Sequence, residues 1–114
     1  MRAGWAAETT YLAPADGPLT FSLRTYRLRP GHGPGPLHSH TVTDSAYFVL
    51  SGQVEVRLGD DRHVLGPGDL AFITPGTAHS IENVGADDAR ILELYAPAEA
   101  DFVHLRPSPT DAGR

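Results

Sequence analysis

Cysteine is absent from the 114 residues, which excludes disulfide staples, zinc–thiolate centres and thiol nucleophiles and is compatible with a reducing cytoplasm. Soft-ligand chemistry therefore falls to histidine. Long apolar runs are missing too. No stretch reaches transmembrane length, and MRAGWAAETTYLAP at the N-terminus lacks the apolar core of roughly 7 to 15 residues that a signal peptide needs. The expectation is a cytoplasmic protein with no membrane partner. Basic charge is scarce: the net charge is −5, and the arginines are scattered, so no positive field invites nucleic acid. Convincing helical periodicity is also lacking; Ala98 to Val103 has room for a single turn. Neither low-complexity tracts nor a repeat of roughly 20 to 50 residues is present.

What is there is ordinary for a folded domain: 40% apolar residues and 20% charged ones, in a length that buries one core and offers one pocket. Twelve glycines and ten prolines punctuate short runs in which apolar and polar residues alternate. Strands are expected at Leu19 to Leu28, Ala46 to Leu50, Val54 to Leu58, His63 to Leu65, Leu70 to Ile73, His79 to Val84 and Ile91 to Tyr95, separated by turns such as SGQ, LGDDR and GPGD. The fold class is all-β, a sandwich or barrel. Residues 1–18 form an N-terminal arm whose strand joins its own sheet or a neighbouring subunit, with Trp5 and Tyr11 as anchors. The barrel occupies 19–104, and LRPSPTDAGR supplies a mobile tail at 105–114.

The chemistry concentrates in PGHGPGPLHSHTVTDSAYFVLSG. His38 and His40 are two residues apart, which on an extended strand places both imidazoles on one face with Cα atoms roughly 7 Å apart, a spacing suited to chelating one ion. Alone, this pair reads equally as two ordinary strand histidines. A second segment, GPGDLAFITPGTAHSIENVG, answers it by delivering His79 just after a tight PGTA turn.

Together the two segments resemble the paired signature motifs of the cupin superfamily. The first family motif is HxH, a glutamate five residues on, then a glycine seven later; here it reads His38, His40, Ser45 and Gly52. The second is matched by Gly68, Gly76, His79 and Asn83, with Thr74 where proline is usual. The resemblance spans Gly31 to Pro97. It implies a double-stranded β-helix, or jelly-roll barrel, with His38, His40 and His79 as ligands of one divalent transition metal: Zn, Fe, Ni, Cu or Mn. The family's fourth ligand, a glutamate, is replaced by Ser45, and a hydroxyl is a poor ligand for such an ion. Asp44 is adjacent, but neighbouring side chains on a regular strand point to opposite faces, so parity favours three histidines unless a bulge re-aims it. Without the carboxylate, the ion keeps more of its charge and open positions for a water or substrate oxygen.

Candidate catalytic residues are Tyr47, Ser45 and Glu93. Parity aims Tyr47 and Ser45 into the barrel, with Phe48 and Leu50 facing the other way. Phe72 and Ile81 are expected along the cavity, with either Ile91, Glu93 and Tyr95 or Leu92 and Leu94. Glu93 is read as lying on the solvated outer face; pointing inward, it becomes a base with a raised pKa. His32 sits in the loop at the pocket mouth as a solvated side chain, a proton shuttle or a further ligand, while His63 and His104 read as surface residues. Three functions fit. The first is a metal-dependent isomerase, cyclase or lyase acting on a small oxygen-rich metabolite by Lewis-acid and proton-transfer chemistry. The second is a dioxygenase using a redox metal and O2, and the third a non-catalytic cupin binding a sugar or other small ligand. Exposed sheet edges and the apolar positions Phe48 and Leu50 make a homodimer the expected assembly, with the strand carrying Trp5 covering the partner.

Overall fold

The computed structural model describes residues 6–16, 20–97 and 103–106. Within them, strands β1 (Ala6–Leu12), β2 (Ser22–Leu28), β3 (Leu37–Ser39), β4 (Asp44–Ser51), β5 (Val54–Leu58), β6 (Asp61–Leu65), β7 (Leu70–Ile73), β8 (His79–Asn83), β9 (Ala89–Ala96) and β10 (Val103–Arg106) form in chain order. A single 3-10 turn, Pro14–Asp16, is the one helical element among the described residues, and none of their helices is long and apolar enough to cross a membrane. The strands make two antiparallel five-stranded sheets, ordered β1-β2-β9-β4-β7 and β10-β3-β8-β5-β6. Their inner faces enclose Leu28, Val49, Val54, Val56, Ile73, Ile81 and Ile91, all nearly inaccessible to solvent. Fully burying a side chain of this size contributes about 1.5–3 kcal/mol, so this cluster is the main source of stability.

Several sequence expectations are revised. The first long strand begins at Ser22, after Leu19, which lies outside the described residues, as do Trp5 and the 98–102 part of the expected helical turn. The strand of the N-terminal arm, β1, pairs with β2 of its own sheet. The boundary drawn at residue 105 falls inside β10, which pairs with β3 up to Arg106↔Leu37. Phe72 does not line the cavity: it is 57% exposed, because β7 turns Ala71 and Ile73 inward instead.

Gly52 shows how tightly one turn is fitted. Its φ is +82°, and a Cβ there would lie 2.8 Å from both Cα and Cβ of Ala89. Gly68 has a similar φ of +87° but open space around it. Gly68→Ala is therefore expected to cost about 1–2 kcal/mol, the left-handed backbone penalty alone. Gly52→Ala should add about 1–3 kcal/mol of overpacking to that penalty. Urea denaturation of both variants checks the order, and equal losses would contradict the packing account.

Candidate metal centre and cavity

The ligand cluster is built by strand pairing. β3 and β8 meet at His38↔His79, so two imidazoles are direct cross-strand neighbours, their ring centroids 4.2 Å apart. His40, two residues on from His38, brings its ring to 5.1 Å from each of the others. The turn before β8 is tied to this segment, since the Gly76 amide donates to the His40 carbonyl at 2.7 Å. Asn83 anchors the far end of β8, donating through Nδ2 to the carbonyls of Leu28 and Asp87 and accepting through Oδ1 from the Gly85 amide.

One potential ligand atom from each of His38, His40 and His79 lies within 4.8 Å of the other two, and all three residues are buried. The tautomers of His38 and His79 can be read from their partners. Nδ1 of His38 lies 2.9 Å from the Pro36 carbonyl, and Nδ1 of His79 lies 2.8 Å from that of Thr77. A carbonyl only accepts, so each Nδ1 carries the proton and each neutral ring keeps its lone pair on Nε2. The three Nε2 atoms are buried with no hydrogen bond made to them. Burial, aided by the neighbouring His40, pushes the His79 pKa down to about 4 against the opposing Thr77 hydrogen bond. At neutral pH His79 is therefore in the unprotonated form that binds metals. This donor set can hold one ion.

Ser45 faces the same interior and is 1% exposed, its Oγ buried without a hydrogen bond. Asp44 points out to solvent, and no bulge interrupts β4 there: Asp44 and Ser45 pair in step with Ala96 and Tyr95.

A pocket adjoins the cluster at His38 and runs past Tyr26, Tyr47, Ile81, Ile91, Glu93 and Tyr95. Glu93 was expected on the outer face and is instead 2% exposed on the inner one. The reason is its cross-strand partner. Arg24 on β2 stands directly opposite Glu93 on β9 and donates from Nη1 to Oε1 at 3.3 Å, so the buried carboxylate has a counter-charge. Arg24 is itself held by Ser22 Oγ at 2.6 Å and lies 4.1 Å from the centroid of the Tyr95 ring. Burial raises the Glu93 pKa above the usual carboxylate range, opposed by the Arg24 charge and by hydrogen bonds from Tyr95 and Tyr26. Burial and the Glu93 charge raise both tyrosines, which stay protonated as donors. Tyr95 also sets its ring edge-on to His40 at 5.2 Å, placing one residue against both the carboxylate and a histidine of the cluster.

The family model described as a cupin domain matches residues 24–95, which take in β3 to β8, most of β2 and β9, all three histidines and Glu93. The chain belongs to the cupin family. Among solved structures, a cupin 2 domain-containing protein from Halorhodospira halophila superposes with a TM-score of 0.77 at 27% identity, covering 90% of this chain and 70% of that one. A germin-like protein (subfamily T member 3) of Arabidopsis thaliana is 32% identical over 111 residues, 89% of this chain and 48% of the relative. Quercetin 2,3-dioxygenase of Bacillus subtilis is 44% identical over 45 residues, 40% of this chain and 13% of the enzyme. This cupin thus spans about half or less of these curated relatives.

The remaining sequence candidates fall around the centre of the cupin. Tyr47 is 3% exposed, with its ring 6.2 Å from His79, and Ile81 lines the cavity. His32 is half-buried in its loop and His63 is exposed. His104 is exposed as well, but it pairs in register with His38 and brings its ring to 6.2 Å from that ligand candidate. Arg24 and Tyr26 escaped the sequence reading, because nothing in SLRTYRL shows which strand lies opposite.

The Ser45 position gives a direct test of the ligand set. Ser45→Glu places a carboxylate among the histidines and is expected to tighten metal binding on the order of tenfold. Asp44→Asn should change affinity by less than about twofold, as expected for a solvated group outside the coordination sphere. Competition titration against a chelator separates the cases; metal loss in the Asp44 variant would show that Asp44 is a ligand.

Proposed function

We propose that this cupin is a metal-dependent enzyme for a small oxygen-rich metabolite, working by Lewis-acid and proton-transfer chemistry of the isomerase, cyclase or lyase kind. His38, His40 and His79 hold one divalent transition ion. When bound, that ion supplies Lewis acidity toward a substrate oxygen. The observation that carries the reading is a single cavity lined by both His38 and Glu93.

In this reading the protein's own groups divide the work. Glu93, held by Arg24 and the two tyrosines, is the base that takes a carbon-bound proton and returns it, and its raised pKa brings it nearer the neutral range where such exchange is efficient. Ile81, Ile91 and Leu28 keep water from the reacting atoms, and Tyr47 orients the substrate beside His79. Ser45, too short to reach a ligand position, leaves room for a water or a substrate oxygen.

The test is proton exchange. Metal-loaded protein is incubated under nitrogen in deuterated water with 2-oxo acids and 1,3-dicarbonyl compounds, and C–H exchange is followed by NMR. Exchange in the wild type, lost by about 10²–10⁴-fold in a Glu93→Gln variant that keeps its metal, is the expected outcome. A second reading, dioxygenase chemistry on a redox metal, is favoured by the likeness to quercetin 2,3-dioxygenase. Oxygen uptake by iron- or copper-loaded protein without any proton exchange would establish it in place of the first.

A further inference from the structure

Beside the three histidine nitrogens, one other polar side-chain atom of the described residues is buried without a hydrogen bond: Ser45 Oγ. An ion accounts for the nitrogens. It does not account for the hydroxyl, which is a poor ligand for a divalent metal. Strand pairing sets this hydroxyl next to the cluster. Ser45 on β4 and Tyr95 on β9 are direct partners, so their side chains leave the same face of the sheet as neighbours. The Tyr95 ring in turn stands 5.2 Å from that of His40. A buried hydroxyl that makes no hydrogen bond is unfavourable, and this one is placed to donate to an acceptor brought in by a ligand.

Charge decides what that acceptor is. The cluster consists of imidazoles, and no carboxylate joins them among the described residues. Asp44 faces solvent, while Glu93 is engaged by Arg24 and two tyrosines. A divalent ion held by three neutral rings keeps its double charge in a buried site, where opposite charge is attracted far more strongly than in water. An anion with two oxygens on one carbon satisfies both partners at once, one oxygen for the ion and one for Ser45. Hydrogen bonds to such an ionised acceptor are among the strong ones. The rest of the ligand has the pocket that adjoins His38, where Tyr47, Ile81 and Ile91 supply apolar walls and a second carboxylate would meet the charge of Glu93.

We propose that Ser45 and the three-histidine centre form a subsite for a monocarboxylate, with Ser45 Oγ donating to one carboxylate oxygen and the ion taking the other. This narrows the substrate of the proposed function to a monocarboxylic acid with an apolar body, and it makes Ser45 a specificity-determining residue. The inference rests on the metal centre of that reading and not on the reaction assigned to Glu93.

Ligand-observed NMR titration of acetate into the zinc-loaded full chain tests this, with zinc content measured on every sample. Acetate is expected to bind the wild type with a Kd of about 1 mM or tighter and to ignore the metal-free chain. Ser45→Ala should weaken acetate by about tenfold, whereas Ser45→Thr, which keeps the hydroxyl, should weaken it by less than about threefold. Ser45→Glu carries its own carboxylate and should bind zinc but no acetate. Succinate, which differs from butyrate by a carboxylate at its far end, should bind at least about fivefold more weakly than butyrate. Equal acetate affinity in zinc-loaded wild type and Ser45→Ala overturns the proposal, as does acetate binding to the metal-free chain or equal affinity for succinate and butyrate. Zinc retained without acetate binding overturns this subsite and leaves the proton-exchange reading standing; acetate binding without proton exchange overturns that reading alone.

Discussion

Alanine at His79 is expected to abolish tight metal binding, lowering affinity by more than about 100-fold, since disturbing even the groups behind a ligand costs 10–100-fold. His79 is inaccessible to solvent and stands directly across from His38, so alanine there removes one of the three donors from a buried cluster. Stability reports the same loss. A ligand in about hundredfold excess over its Kd adds about 3 kcal/mol to the native state, so metal should raise the wild-type Tm and leave that of His79→Ala unchanged. The metal-free proteins should differ in acid. Because folding lowers the His79 pKa from 6.5 to about 4, the unfolded chain takes up the proton first. The contribution of a neutral His79 is complete above about pH 6.5 and is lost as pH falls toward 4, roughly 3 kcal/mol in all. His79→Ala should lack that part of the acid limb. Denaturation between those pH values measures it, and an identical slope in the variant would contradict the burial argument.

The second large effect lies in the Arg24–Glu93 pair. Removing one member of a buried pair leaves the other charge unsolvated, and Arg24→Leu is expected to cost about 3–5 kcal/mol. Arg24→Leu combined with Glu93→Leu should be less damaging than Arg24→Leu alone, since two apolar groups of similar size remove the uncompensated charge. Recovery should be incomplete, because Arg24 also packs against the Tyr95 ring and the tyrosine hydroxyls lose their acceptor. A double-mutant cycle by chemical denaturation gives the coupling. Strict additivity of the two substitutions would mean that the pair does not hold the cavity wall together.

These two sites were unequally legible in the sequence. The histidines announce themselves because a spacing of two on a strand and a glycine turn before a third are local patterns, and local geometry decides where they point. Glu93 was misplaced because ILELY alternates two apolar sets: Ile91 and Tyr95 on one face, Leu92 and Leu94 on the other. Alternation identifies an inner face only when the outer one is polar, and here the outer face is apolar too. Phe72 was misplaced for the same reason, since LAFI offers hydrophobes to both sides. What decides the matter for Glu93 is a cation 69 residues away in sequence, brought opposite by the β2–β9 pairing. Strand β3 is three residues long and carries little pattern beyond its histidine, yet it fixes the centre of the site.

The most direct measurement is a crystal structure of the metal-loaded protein with anomalous data at the absorption edge of the ion. One peak bound to Nε2 of His38, His40 and His79 at about 2.0–2.2 Å, with Asp44 in solvent, is the expected result. A peak elsewhere in the molecule, or an Asp44 oxygen within about 2.2 Å of the ion, would contradict the three-histidine centre.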